Sequence, residues 1–158
     1  MTVIVLEMSA LEAENLDSLV GQFIEVLDAP TRDASEDPAV LRLVPDAYAD
    51  PEAAREFRDL TQRELLTRRH DDAEVVRATL ADAALRASGR EGPTDLDVRL
   101  DADAQRAWLR TLAAVRLVLA TRLGVTDDDD HDDEDPRFGV YDWLGFRLHT
   151  LVEAIDGT

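Results

Sequence analysis

The sequence predicts a mainly α fold, a single helical domain of five to six helices carrying one short two-stranded β ribbon. Three observations predict it. Apolar residues recur at steps of three and four through most of the 158 residues, which places them along one side of a helix. Two short runs, Thr2–Leu6 and Leu96–Leu100, have strand character instead. The stretch from Asp101 to Gly124 is apolar almost all round, as expected of a helix at the centre of a core.

Each element has a local cause. Thr2–Leu6 is β-branched and apolar, which suits a short strand. Ser9 followed by Glu12 is a capping box, so a helix starts at Ala10. Its inward positions are Leu16, Leu19, Val20, Phe23, Ile24 and Leu27, and Asp28-Ala29-Pro30 ends it. Thr31–Asp37 is a polar loop. Asp37-Pro38 opens a short helix carrying Val40, Leu41 and Leu43, stopped by Pro45. Asp50-Pro51 opens a longer one to about Arg69, burying Ala54, Phe57, Leu60 and Leu65. On its surface Asp59 and Arg63, and Glu64 and Arg68, are four apart. His70, Asp71 and Asp72 read as a break and a new cap. The next helix, Ala73–Ser88, turns Val75, Val76, Leu80, Ala83 and Ala84 inward, with Gly89 as its natural stop.

The second half repeats the opening plan. Leu96, Val98 and Leu100 alternate with Asp97 and Arg99, the pattern of a half-buried strand. Asp101 caps the central helix and Gly124 ends it. Trp108, Leu112, Val115 and Leu119 share one face of that helix and should be nearly fully buried. An acidic, mobile loop follows at about 126–138. A last helix from about Val140 to Ile155 carries Trp143, Leu144, Leu148, Leu151, Val152 and Ile155. The two strands have only each other to pair with, and they need a helical layer beneath them. Their direction is open at this stage. The strand–cap–helix plan occurs twice but is too weak a repeat to call a duplication.

Composition narrows function by exclusion. With no cysteine, disulfides, zinc thiolates and thiol catalysis drop out. All 17 cations are arginine, and the net charge is −18. Eight of those negative charges lie between Asp127 and Asp135, which leaves the rest near −10. Affinity for DNA or RNA comes mostly from phosphate contacts, so direct nucleic-acid binding is disfavoured. Anionic membrane is disfavoured for the same reason, and no apolar run approaches the roughly 20 residues of a membrane span. The opening MTVIVLEM lacks the basic start of a signal peptide. The expected location is the cytoplasm.

No motif assigns catalytic, cofactor or metal residues. His70, His131 and His149 are scattered without paired ligand spacing. Ser9, Ser18, Ser35 and Ser88 sit in no nucleophile elbow. The glycines form no phosphate-binding loop. Asp127–Asp135 lacks the glycine and the spaced glutamate of a calcium loop, and a like-charged block of this kind normally stays solvated.

Three strings stand out together: RLVPDAYADPEAAREFRDLT (Arg42–Thr61), AVRLVLATRLGV (Ala114–Val125) and YDWLGFRLHTLV (Tyr141–Val152). In order and spacing they resemble the recurring blocks of DUF2017, an actinobacterial family of unknown function. The resemblance covers nearly the whole chain and implies a cytoplasmic, mainly helical protein. It implies no established enzymatic activity and supplies no active site to carry over. Its genes often neighbour a protease adaptor gene, and a redox-linked role in transcription is sometimes attached to it. A thiol-based version of that role does not extend to a chain without cysteine.

Arg116 and Arg122 are the candidate site residues, because both fall in apolar arcs of the central helix. Arg116 lies among Leu109, Leu112 and Leu123, and Arg122 beside Val115 and Ala104. Guanidinium groups in such surroundings need partners. Acids such as Asp46, Asp50, Glu56, Asp59 or Asp142 would serve in a structural role, whereas unclaimed arginines would form an anion or carboxylate pocket. The favoured functional expectation is a non-enzymatic regulatory or protein-interaction module, acting on transcription or proteolysis through a protein partner. Its acidic surface would suit a basic partner, and a homodimer is a further expectation. The alternative is a small-anion or carboxylate-binding protein or enzyme with its pocket at Arg116 and Arg122.

Overall fold

The computed structural model describes residues 2–28, 51–89, 95–124 and 138–157, with backbone alone for 51–59. β1 (Ile4–Ser9) runs directly into α1 (Ala10–Asp28). Then come α2 (Pro51–Ala87), β2 (Asp95–Leu100), α3 (Ala102–Leu123) and α4 (Gly139–Asp156). The fold is mainly helical among the described residues, with one two-stranded ribbon. Among the described residues there are four helices, not five to six. The short helix expected around Val40–Leu43 and the acidic loop through Asp135 lie outside the described residues, as do the side chains of Ala54 and Phe57.

The shortfall has a physical cause at His70-Asp71-Asp72. The expected break is absent, and α2 is one helix of 37 residues, about 55 Å long at 1.5 Å per residue. Its buried stripe runs straight through the triplet: Leu66, Ala73, Val76, Leu80 and Ala83. His70 and Asp72 reach neighbouring helices instead of capping. Asp72 accepts two hydrogen bonds from Arg110 of α3, at 2.7 and 2.9 Å. His70 lies 3.5 Å from Asp28 at the end of α1. A mid-helix aspartate costs only about 0.7 kcal/mol in propensity, less than these contacts and the continuous packing contribute. Leu60, Val75 and Ala84, expected inside, are exposed.

β1 and β2 pair antiparallel, with Ile4 opposite Leu100, Leu6 opposite Val98 and Met8 opposite Leu96. All six side chains are buried. β1 extends to Ser9, past the expected Leu6, because Met8 continues the inward alternation. Each strand is joined to a helix by one capping side chain. Ser9 Oγ accepts the Glu12 amide at 3.1 Å, and Asp101 accepts the Ala104 amide at 2.8 Å. Gly124 ends α3 at φ +75°, a left-handed conformation that glycine adopts without steric cost.

α2 packs against α1, α3 and β2, while α4 packs on α3 and touches β1. One core joins the inner ribbon face to these helices through Leu16, Val20, Val76, Trp108, Leu112, Leu144 and Leu151. On the central helix Trp108, Leu112 and Val115 are buried as expected. Leu119 is only half-buried because it lies at the edge, between the main core and a small cluster of Ala120, Phe138 and Tyr141. Phe138, assigned above to the acidic loop, is thus a buried anchor at the entry to α4.

Candidate functional site

α1 carries an exposed polar stripe beside its buried one. Asn15, Ser18 and Gln22, with half-buried Leu19 beside them, follow the three-and-four spacing that keeps residues on one helical face. With Glu12 they form one wall of an open groove of ≈ 550 Å³, whose other wall is Gly139, Val140 and Trp143 at the start of α4. That volume falls within the roughly 300–1,000 Å³ typical of ligand pockets. Apolar surface predominates in the lining, and Glu12 is the one ionisable group among the described lining residues.

Glu12 ties the walls together. Its carboxylate accepts from Arg147 Nε at 3.1 Å, closely from Arg147 Nη2, and from the Trp143 indole N–H at 3.2 Å. Arg147 Nη1 also donates to the Glu7 carbonyl at 3.1 Å, which brings β1, α1 and α4 to one guanidinium. Hydrogen bonding from Arg147 holds the Glu12 carboxyl below its ordinary range, against an opposing push from partial burial, with Trp143 and Ser9 adding to the lowering. A carboxylate so held stays ionised at neutral pH. It is poorly suited to general acid–base work, where the pKa should lie near the working pH. Its evident physical role is to fix the Trp143 ring in the groove wall.

Arg116 and Arg122 are not brought together. Arg116 is half-buried and faces α4. Its guanidinium carbon lies 4.0 Å from the Tyr141 ring centroid, and its Nε donates to the Tyr141 carbonyl at 3.4 Å. This is a cation–π stack with a backbone hydrogen bond. Gly145 lies close beside the same guanidinium. Arg122 is exposed, against the expectation of burial. It sits in the last turn of α3, where the core no longer reaches round the helix and a cation complements the helix dipole.

The sequence blocks that carried the family resemblance map onto this arrangement. Ala114–Leu123 is the second half of α3, and Tyr141–Val152 is most of α4, so the Arg116–Tyr141 contact joins two of them. The model of a domain of unknown function, DUF2017, matches residues 2–155. The chain belongs to the DUF2017 family. No curated protein and no solved structure matches it. No helix among the described residues of this DUF2017 chain is long and apolar enough to cross a membrane.

Sequence reasoning missed the groove. Glu12 reads as half of a capping box, Trp143 as one more apolar residue of the last helix, and Arg147 falls in no pattern. The Glu12–Arg147 pair spans 135 positions, beyond any local pattern. One signal was available. Asn15, Ser18 and Gln22 form an uncharged polar stripe in a chain with 33% charged residues.

Proposed function

We propose that this DUF2017 chain is a cytoplasmic, non-enzymatic interaction module that regulates a partner protein by holding it in the α1–α4 groove. One observation carries the reading. The groove is open and mostly apolar, and among the described residues its single ionisable group, Glu12, is committed to Arg147 and Trp143. Such a site can bind but has little with which to move a proton. The partner is one with a basic surface, since the chain carries −18 and complementary charge steers association. Regulation of transcription or proteolysis would act through that partner.

An anion pocket at Arg116 and Arg122 has less support. The first guanidinium is stacked on Tyr141 and the second is exposed on a helix end.

Site-specific photocrosslinking tests the proposal. A photoreactive residue replacing Ser18 should give a discrete adduct in cells of the source organism, whereas one replacing exposed Arg106 should not. The protein identified, once purified, should bind the intact chain and lose binding to Val140→Arg. No adduct from Ser18, or equal adducts from both positions, would overturn it.

A further inference from the structure

We infer that the α1–α4 groove takes an extended peptide segment of its partner, with one large apolar side chain against Trp143 and Leu19 and with arginine or lysine beside it. The inference rests on the groove being the interaction surface. It adds what the occupant is.

The first argument is how the chain uses its carboxamides. There are four: Asn15, Gln22, Gln62 and Gln105. Gln62 and Gln105 are buried in the fold, and Gln105 donates to the carbonyls of Thr2 and Leu100. Asn15 and Gln22 both line the groove, with Ser18 between them. A primary amide offers both a donor and an acceptor, the same pair that a peptide unit presents. Gln22 lies seven helical steps beyond Asn15, about 10.5 Å along the axis at 1.5 Å each. That matches about three residues of extended chain at 3.3 Å each.

The second argument is charge. α1 holds Glu12, Glu14, Asp17, Glu25 and Asp28 and not one cation. Glu12 and Asp17 are bound to Arg147 and Arg77. Glu14 and Glu25 are exposed, and their positions four before and seven after Ser18 put them on the groove rim. Cations beside the apolar anchor would meet this rim.

The third argument is size. A helix with its side chains is about 10–12 Å across, so a groove of ≈ 550 Å³ would hold little more than one turn of it. An extended strand of a few residues fits better, with exposed Val140 as part of the apolar wall.

A random heptapeptide display selection on the full chain, with counter-selection on Ser18→Trp, tests this. Ser18 is exposed on α1. Val140→Arg, on the opposite wall, serves as a second blocking variant, and thermal unfolding verifies that both fold. Enriched peptides should carry leucine, isoleucine or an aromatic residue flanked by arginine or lysine. Synthesised, they should bind wild type at least about ten-fold more tightly than either blocking variant. Asn15→Ala and Gln22→Ala should each weaken binding by about two- to ten-fold, the range for one hydrogen bond. Groove-dependent peptides that are acidic, or that bind as amphipathic helices, would overturn this inference and leave the groove as an interaction surface. No peptide sensitive to Ser18→Trp or Val140→Arg would overturn both.

Discussion

Glu7 and Asp97 stand directly opposite each other in the ribbon, and each gives its backbone carbonyl to an arginine from a helix. Arg147 of α4 bonds Glu7 at 3.1 Å, and Arg86 of α2 bonds Asp97 at 3.0 Å. Like charges opposite one another weaken a strand pair, and a two-stranded ribbon has only edges. The two arginines answer the second problem, each taking a backbone carbonyl at one register position.

Removing these arginines should not be equivalent. Arg86→Ala gives up the Asp97 carbonyl and an exposed contact to Asp82, for a loss of about 0.5–1.5 kcal/mol. Arg147→Ala also leaves Glu12 without its main partner, so about 2–3 kcal/mol is expected from bonds to a charged group. Urea denaturation of both variants measures this. Equal losses would show that Glu12 gains little from Arg147.

Glu12 should make part of the stability pH-dependent. Its folded pKa is lowered by Arg147 from the ordinary 4.5. A lowered carboxylate contributes stability that is fully present above the unfolded value and is lost as pH falls through the folded one. The gap in urea midpoint between wild type and Glu12→Gln should therefore be largest near pH 7. It should shrink as pH falls below 4.5. A gap unchanged down to pH 3 would contradict the assignment.

The two tryptophans should report different environments. Trp108 is 1% exposed and donates to Thr79 Oγ1 at 2.8 Å, whereas Trp143 lines the groove. Trp143→Phe should leave blue-shifted emission that acrylamide scarcely quenches. Trp108→Phe should leave redder, readily quenched emission and cost about 1 kcal/mol for the lost hydrogen bond. Similar quenching in both would place Trp143 in the core.

Leu112 and Leu119 test where the core ends. Leu112 is 1% exposed, and Leu112→Ala should destabilise by about 2–5 kcal/mol. Leu119→Ala, at the half-buried edge, should cost clearly less. A thermal or urea series in which the order reverses would relocate the core on α3.

What was legible in the sequence was local. Ser9, Asp101 and Gly124 act within one helical turn, so their residue types alone mark the ends of α1 and α3. Strict alternation in Leu96–Leu100 exposed the ribbon. The errors came where a long-range partner overrode a local meaning. Asp72 looks like a cap until Arg110 is placed beside it. Glu12 looks like half of a capping box, yet its carboxylate crosses to Arg147 on α4. The groove has no motif at all, because it is the gap left between α1 and the start of α4.

Two glycines give the sharpest contrast. Gly21 of α1 and Gly145 of α4 each lie inside a helix against an arginine from another helix. Alanine in a helix interior is normally better than glycine by about 0.8–1.0 kcal/mol. A methyl at Gly21 would sit 3.6 Å from Arg77, an ordinary contact, so Gly21→Ala should stabilise by about that amount. A methyl at Gly145 would sit 3.1 Å from Arg116 Nε and Nη2. Arg116 is held there by the Tyr141 ring and carbonyl, so the methyl must displace it from both. Gly145→Ala should therefore be neutral or destabilising. In an Arg116→Ala background the obstruction is gone, and the same substitution should recover the helix-propensity gain. A double-mutant cycle isolates that coupling. Gly145→Ala stabilising the wild type as much as Gly21→Ala does would show that Arg116 is free to move and that its stack on Tyr141 contributes little.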